Sequence, residues 1–131
     1  MLRYCRAMKR LVVAALALAA CGTTNDDRPK TLEYITVAIL QPSCGNAQCH
    51  GSYRRAEDYA FDTVEEARKS ILTYQLVVED EPESSLLYQV LISPGGDGNT
   101  PRMPYDQPLA DADVALIHDW IATGAEGLVI P

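Results

Sequence analysis

Apolar residues recur at helical spacing directly after residue 30 of the chain. Leu32, Ile35 and Ile39 follow one another at intervals of three and four residues, which places them on one face of a helix. Pro42 follows, and proline cannot continue the backbone hydrogen bonding of a helix. The pattern therefore predicts a helix over about 31–41 that Pro42 stops.

Two further helices have recognisable start signals. Thr63 and Glu66 form a capping-box pattern, in which each side chain bonds an open backbone N–H of the other, and this predicts a helix over about 64–72. Pro82 suits a first helical position, and an apolar face made by leucines and Val90 follows it. This second pattern predicts a helix over about 82–92.

The last part of the chain divides into a loop and a final helix. Residues 93–108 contain four Pro and three Gly, which predicts an irregular loop. Ala110 or Asp111 then opens a helix with an apolar stripe, and Gly124 is its natural end. The expected fold class is all-α, with about four helices and one long Pro/Gly loop.

The N-terminal region has the pattern of a bacterial lipoprotein signal. A basic stretch and ten apolar residues make up 1–20, too few to form a comfortable membrane-spanning helix. The sequence Leu-Ala-Ala that precedes Cys21 resembles a lipobox, in which the cysteine thiol receives a diacylglycerol. We expect a signal peptide at 1–20, a lipidated N-terminus and flexible tether at 21–30, and one domain at 31–131. The protein would then be lipid-anchored in the cell envelope, at the periplasmic face or the outer membrane.

Charge is distributed unevenly along the chain. The 131 residues have a net charge of -7, but residues 1–21 carry four basic and no acidic residues. The remaining 110 residues hold seven basic and all eighteen acidic residues, a net charge of -11. An acidic domain argues against binding to nucleic-acid backbone, which requires clustered Lys and Arg. Basic or neutral partners are more plausible.

The sequence Cys44-Gly-Asn-Ala-Gln-Cys49-His50 contains the residue types that attach c-type haem. Cysteine sulfurs add to the two vinyl groups as thioethers, and the histidine that follows the second cysteine coordinates the iron. Four residues separate the cysteines here, whereas the usual spacing is two. Cys5 and Cys21 belong to the leader and the anchor, so Cys44 and Cys49 are the only thiols of the expected domain.

A second axial ligand can be sought among the remaining Met and His residues. Met103 lies between Pro101 and Pro104, which hold the backbone extended and rigid. His118 lies in the predicted last helix beside Asp119, a pattern that favours a solvated position. We favour Met103 over His118 as the ligand.

Two readings without haem stay open at this point. Cys44 and Cys49 could form a disulfide in a haem-free envelope lipoprotein that acts as a binding domain. Zinc could be held by both cysteines with His50 and His118, although adjacent Cys49 and His50 would compete sterically as ligands.

Several segments together resemble the class I c-type cytochromes, and among them the short monohaem planctomycete-type cytochrome c domains. The similar segments are Ile39–Cys44 leading into Cys49–Gly51, Pro82–Tyr88, Arg102–Pro104, Pro108–Leu109, and Ile117–Ala125. The resemblance covers about residues 31–126.

The resemblance implies one haem c attached at Cys44 and Cys49, with iron ligands His50 and Met103. It implies electron transfer rather than enzyme catalysis, with redox proteins of the envelope as partners. Candidates to line the haem pocket are Ile39, Leu40, Leu87, Leu91, Met103 and Trp120.

Overall fold

The computed structural model describes residues 25–95 and 100–129, and in these residues the chain is helical and has no strand. Four helices follow one another in this part of the chain. The first, α1, runs through 32–43 as the consecutive segments Leu32–Ile35, Thr36–Leu40 and Gln41–Ser43. The others are α2, Val64–Thr73; α3, Leu86–Ile92; and α4, Asp111–Ala122. The all-α prediction is confirmed. The predicted signal peptide, Cys21 and the first tether residues lie outside the described residues.

Helix α1 continues past Pro42, where the sequence predicted its end. The middle segment, Thr36–Leu40, is π-helical, and the Gln41 N–H bonds the Thr36 carbonyl five residues earlier. This wider turn lies directly before the proline, where an α-helix would bring the ring against the carbonyl four residues back. The helix therefore continues through Pro42 and ends at Ser43.

Helix α2 begins at the predicted residue, with half of the predicted capping box. The Thr63 hydroxyl accepts a hydrogen bond from the Glu66 N–H at 3.1 Å. The Glu66 carboxylate instead binds the guanidinium of Arg55 at 2.7 Å. An ion pair to the preceding loop has thus replaced the reciprocal bond to Thr63.

The predicted helix over 82–92 is interrupted at Ser85. Pro82–Ser84 form a 3-10 turn, Ser85 is extended, and α3 begins only at Leu86. The buried Ser85 hydroxyl accepts from the Val78 N–H and donates to the Glu81 carbonyl, both at 2.9 Å. The Ser85 hydroxyl thus bonds the preceding loop while its backbone is extended, and the two segments do not form one continuous helix.

The core lies between the helices. Helix α4 packs against α3 and the 3-10 turn, while α1 packs against α2. Five of the six candidates to line a haem pocket belong to the core: Ile39, Leu40, Leu87, Leu91 and Trp120. Trp120 is fully buried and donates its indole N–H to the Glu126 carbonyl at 3.1 Å. These five side chains hold the helices together.

The described part of the expected tether lies against α4. Arg28 donates to Asp113 at 2.5 Å and to the Ala112 carbonyl at 2.9 Å. The Lys30 ammonium binds Asp119 at 2.9 Å. Residues 25–30 are therefore joined to the helix by side-chain contacts. Within 25–95 and 100–129, no helix has the length and apolar character needed to cross a membrane.

Candidate functional site

The segment that contains both cysteines begins where α1 ends. The N–H groups of Cys44 and Gly45 both bond the Leu40 carbonyl, at 2.7 and 2.9 Å. These bonds complete the last turn of the helix and fix the start of the loop against it. The position of Cys44 is therefore set by α1.

The four residues between the cysteines fold into a closed turn. The Asn46 carbonyl accepts from the N–H groups of Cys49 and Gly51, and its side-chain oxygen accepts from Gln48, all at 3.0–3.1 Å. The His50 N–H returns to the Cys44 carbonyl at 3.0 Å. The wide cysteine spacing is thus accommodated by local backbone bonds, and the loop brings His50 back to the end of α1.

Two glycines make this turn possible. A β-carbon on Gly45 would lie 2.7 Å from the Phe61 carbonyl oxygen, and one on Gly51 would lie 2.8 Å from that of Asn46. Atoms do not approach so closely without a shift of the backbone. Gly45 was not singled out in the sequence, because the segment that packs against it lies sixteen residues further along the chain.

The imidazole of His50 is held by a backbone carbonyl. Its Nδ1 atom lies 2.8 Å from the Ala56 carbonyl oxygen. A carbonyl can only accept a hydrogen bond, so this contact assigns the proton of the neutral ring to Nδ1 and leaves the lone pair on Nε2. Histidine ligands of metals are commonly oriented by such a bond. The Nε2 atom is therefore available as a ligand.

Two aromatic rings pack beside the His50 imidazole. The ring of Tyr59 stacks on His50 with centroids 5.7 Å apart and an angle of 27° between the planes. Phe61 meets the same imidazole edge-on at 5.5 Å. Burial, reinforced by the nearby Glu57 carboxylate, raises the pKa of the Tyr59 hydroxyl above its usual range.

The two thiols differ in exposure. Cys44 is half-buried, and burial together with the charge of Cys49 raises its pKa to about 11. Cys49 is exposed, and both cysteines are free thiols in the structure. At neutral pH the Cys44 sulfur is therefore protonated, while Cys49 is open to reagents.

Met103 reaches the site from the Pro/Gly loop. Its N–H bonds the Val90 carbonyl of α3 at 2.9 Å, and its side chain is half-buried. This bond attaches the loop to the helical core at the methionine itself. The described part of the loop is otherwise irregular, as predicted.

The four residues predicted to bind haem line one cavity. Its volume is about 400 Å³, and its lining includes Cys44, Cys49, His50 and Met103. Ser43, Arg54, Glu57, Tyr105 and Asp106 also contribute to it. Ligand pockets range from about 300 to 1,000 Å³. The structure thus brings four residues, separated by up to 59 positions in the sequence, to the surface of one small-molecule-sized cavity.

His118 lies apart from this lining. Its Nε2 atom is 3.2 Å from Glu83 and its Nδ1 atom is 3.4 Å from Asp119. Tyr88 packs edge-on against the same ring at 5.2 Å. Both nitrogens of His118 therefore face carboxylates of its own neighbourhood.

The zinc hypothesis requires four ligands, and the structure does not bring His118 to the other three. In the described segments, no three side chains among His, Cys, Asp and Glu converge as a metal-binding group. His118, which zinc would need as the fourth ligand, does not line the cavity.

The donor set fits a covalently attached haem. Two free thiols, an imidazole with an available Nε2 and a thioether are the groups that c-type haem uses, and all four line the same cavity. The three charged residues that line the cavity with them, Arg54, Glu57 and Asp106, are exposed.

Comparison with protein-family models, with curated protein sequences and with solved structures gave no match to this chain.

Proposed function

We propose that this protein is a monohaem c-type cytochrome and a lipoprotein, and that it transfers electrons in the bacterial cell envelope. The observation that supports the proposal is the shared cavity of Cys44, Cys49, His50 and Met103. These are the residues to which the resemblance assigns attachment and iron ligation. In the sequence they are only a short motif and a distant methionine.

Each residue has one role in this proposal. The sulfurs of Cys44 and Cys49 form thioethers with haem c, His50 ligates the iron through Nε2, and Met103 ligates it through sulfur. Haem supplies one-electron chemistry, and His/Met ligation favours a higher reduction potential than ligation by two histidines. The Ala56 carbonyl keeps the proton of His50 on Nδ1, at 2.8 Å.

The proposal involves no catalytic acid or base. A carrier has to hold the iron with two constant protein ligands and leave a route for electrons at the protein surface. Tyr105 contributes to the cavity and is 74% exposed, so the cavity reaches the surface beside it. Redox proteins of the envelope would approach there, and the anchor at Cys21 would hold the protein to a membrane.

The decisive experiment is expression of the full chain in a host that has haem-attachment machinery. The polypeptide should keep its haem after denaturation and acid extraction, and its mass should increase by one haem. The matched control replaces Cys44 and Cys49 with serine, and this variant should lose its haem in the same extraction. A colourless wild-type protein with a Cys44–Cys49 disulfide would overturn the haem proposal and favour the haem-free alternative.

The anchor is tested separately. Mass spectrometry of the mature N-terminus should find acyl chains on Cys21, and Cys21→Ser should abolish both the acylation and recovery of the protein with membranes. Processing at another residue, with no acylation, would remove the lipoprotein part of the proposal and leave the haem part standing.

A further inference from the structure

The side chain of Tyr59 contacts the imidazole that the proposed function assigns to iron. Its ring covers His50 at 5.7 Å with the planes only 27° from parallel. Tyr59 is half-buried, and its ring does not belong to the cavity lining. Tyr59 therefore touches the proposed ligand without lining the space where haem would bind.

The backbone carbonyl of Ala56 bonds both His50 and Tyr59. The Ala56 oxygen accepts from the His50 ring at 2.8 Å and from the Tyr59 N–H at 3.1 Å. The Phe61 N–H in turn bonds the His50 carbonyl at 2.7 Å. Any rotation of the imidazole would thus break a bond to Ala56 and also lose the stacking on Tyr59.

The backbone that presents these groups is strained. Arg55, Glu57 and Asp58 have φ values of 51°, 54° and 66°, in the left-handed region that residues other than glycine rarely adopt. Such conformations are energetically unfavourable, and they concentrate where geometry matters for function. Three of them within four residues immediately precede Tyr59.

A second aromatic ring supports Tyr59 from the side. Tyr74, just after α2, meets the Tyr59 ring at 5.0 Å with the planes at 63°. Aromatic rings attract each other in this edge-to-face arrangement, because the positive edge of one ring meets the negative face of the other. Tyr74, at the end of α2, therefore restricts the Tyr59 ring, and the Tyr59 ring in turn restricts the imidazole on which it stacks.

We propose that Tyr59 is a positioning residue for His50: its ring, supported by Tyr74 and by the strained segment 55–58, fixes the plane of the imidazole that ligates the iron. This inference rests on the proposed function for the iron, but the contact itself belongs to the polypeptide. The orientation of a ligand by its neighbours affects both the strength of the bond to the metal and its reduction potential.

The test compares Tyr59→Leu, which removes the ring, with Tyr59→Phe, which keeps it. In the reduced haem-loaded protein, NMR of ¹⁵N-labelled histidine measures exchange of the His50 Nδ1 proton with water, and a redox titration measures the potential. Tyr59→Leu should speed the exchange, because without the stacked ring the imidazole leaves its bond to Ala56 more often, and it should shift the potential. Tyr59→Phe should restore both values.

Tyr53→Leu is the matched control, because Tyr53 is 93% exposed in the same segment and should change neither value. If Tyr59→Leu does not fold, Tyr59→Met replaces it, since a flexible methionine fills irregular space. Unchanged exchange and potential without the ring would overturn the proposal, and so would a Tyr59→Phe variant that behaves like Tyr59→Leu. If the wild type carries no haem, the proposed function fails, and proton exchange on that haem-free protein still tests the contact.

Discussion

Gly51 packs so tightly on Asn46 that a β-carbon added to the glycine would lie 2.8 Å from the Asn46 carbonyl oxygen. That oxygen also accepts the backbone bonds of Cys49 and Gly51 that close the turn between the cysteines. The methyl group of Gly51→Ala would therefore push apart the turn that places Cys49 and His50. We expect this substitution to lower the free energy of unfolding by roughly 1–3 kcal/mol, the usual cost of forcing extra atoms into a packed site.

Chemical denaturation measures the change, and haem incorporation should decrease in parallel. Gln48→Ala is the control for the denaturation measurement, because Gln48 is an exposed member of the same turn and only its backbone N–H bonds Asn46. A Gly51→Ala protein as stable as Gln48→Ala would show that the turn is softer than the structure indicates.

The two thiols should react at very different rates in protein made without haem attachment. A chain that begins at residue 22 has only Cys44 and Cys49, so single Cys→Ser variants isolate each. Burial raises the pKa of Cys44 to about 11, while Cys49 is exposed. Relative to an ordinary thiol, such a pKa lowers the thiolate fraction at pH 8 on the order of a hundredfold. Iodoacetamide should modify Cys49 first, and equal rates would contradict this assignment.

The same pKa shift predicts a loss of stability in alkali. The folded protein holds the Cys44 proton more tightly than the unfolded chain, in which a thiol has a pKa near 8.5. Between that value and about 11 the folded state binds more protons, so the free energy of unfolding falls as pH rises. Cys44→Ser should remove this part of the pH dependence, as measured by denaturation at pH 8 and pH 10.5.

Local signals predicted the helices well. The Thr63 cap, the spacing of Leu32, Ile35 and Ile39, and the loop before α4 depend on neighbours in sequence, and the structure confirms the elements they indicate. Ser85 shows the limit, since its hydroxyl binds Val78 and Glu81 of the preceding loop. The spacing of apolar residues carries no information about these side-chain bonds, so it could not predict the break at Ser85.

The candidate site was predictable as residue types but not as geometry. Cys44, Cys49 and His50 are adjacent enough to be noticed, and Met103 follows from elimination. The lining could not be predicted, because the apolar residues expected there pack in the core, and polar residues from separate segments line the cavity. Tyr59 was missed because its stacking on His50 depends on the left-handed backbone before it, and no glycine marks those positions.

Met103 should be replaceable without loss of the fold. Its backbone N–H, bonded to Val90, is retained in any variant except proline, and leucine conserves its volume. In the haem-loaded protein, Met103→Leu should abolish the sulfur-to-iron charge-transfer band of the oxidised state and lower the reduction potential. His118→Gln is the control and should change neither. Loss of ligation in His118→Gln with an unaffected Met103→Leu would transfer the ligand role to His118.

The contacts of Arg28 make the segment before α1 a measurable part of the folded domain. Arg28 binds Asp113 in the first turn of α4, at 2.5 Å, with each side chain about 30% exposed. Asp113→Ala should therefore reduce the free energy of unfolding by roughly 0.2–1 kcal/mol, the range for ion pairs near a surface, and proteolysis at residues 25–30 should become faster. Both effects should shrink in high salt, which screens the pair.

Asp111→Ala separates this ion pair from the general effect of a negative charge at the start of a helix. Asp111 and Asp113 both lie in the first turn of α4, where a carboxylate interacts favourably with the helix dipole. Both variants lose that interaction, but only Asp113→Ala loses the Arg28 contact. Adding Asp113→Ala to Arg28→Ala should raise protease sensitivity no more than Asp111→Ala raises it in the wild type, because the ion pair is already broken. Equal protease sensitivity of Asp111→Ala and Asp113→Ala would show that residues 25–30 are held by contacts other than this ion pair.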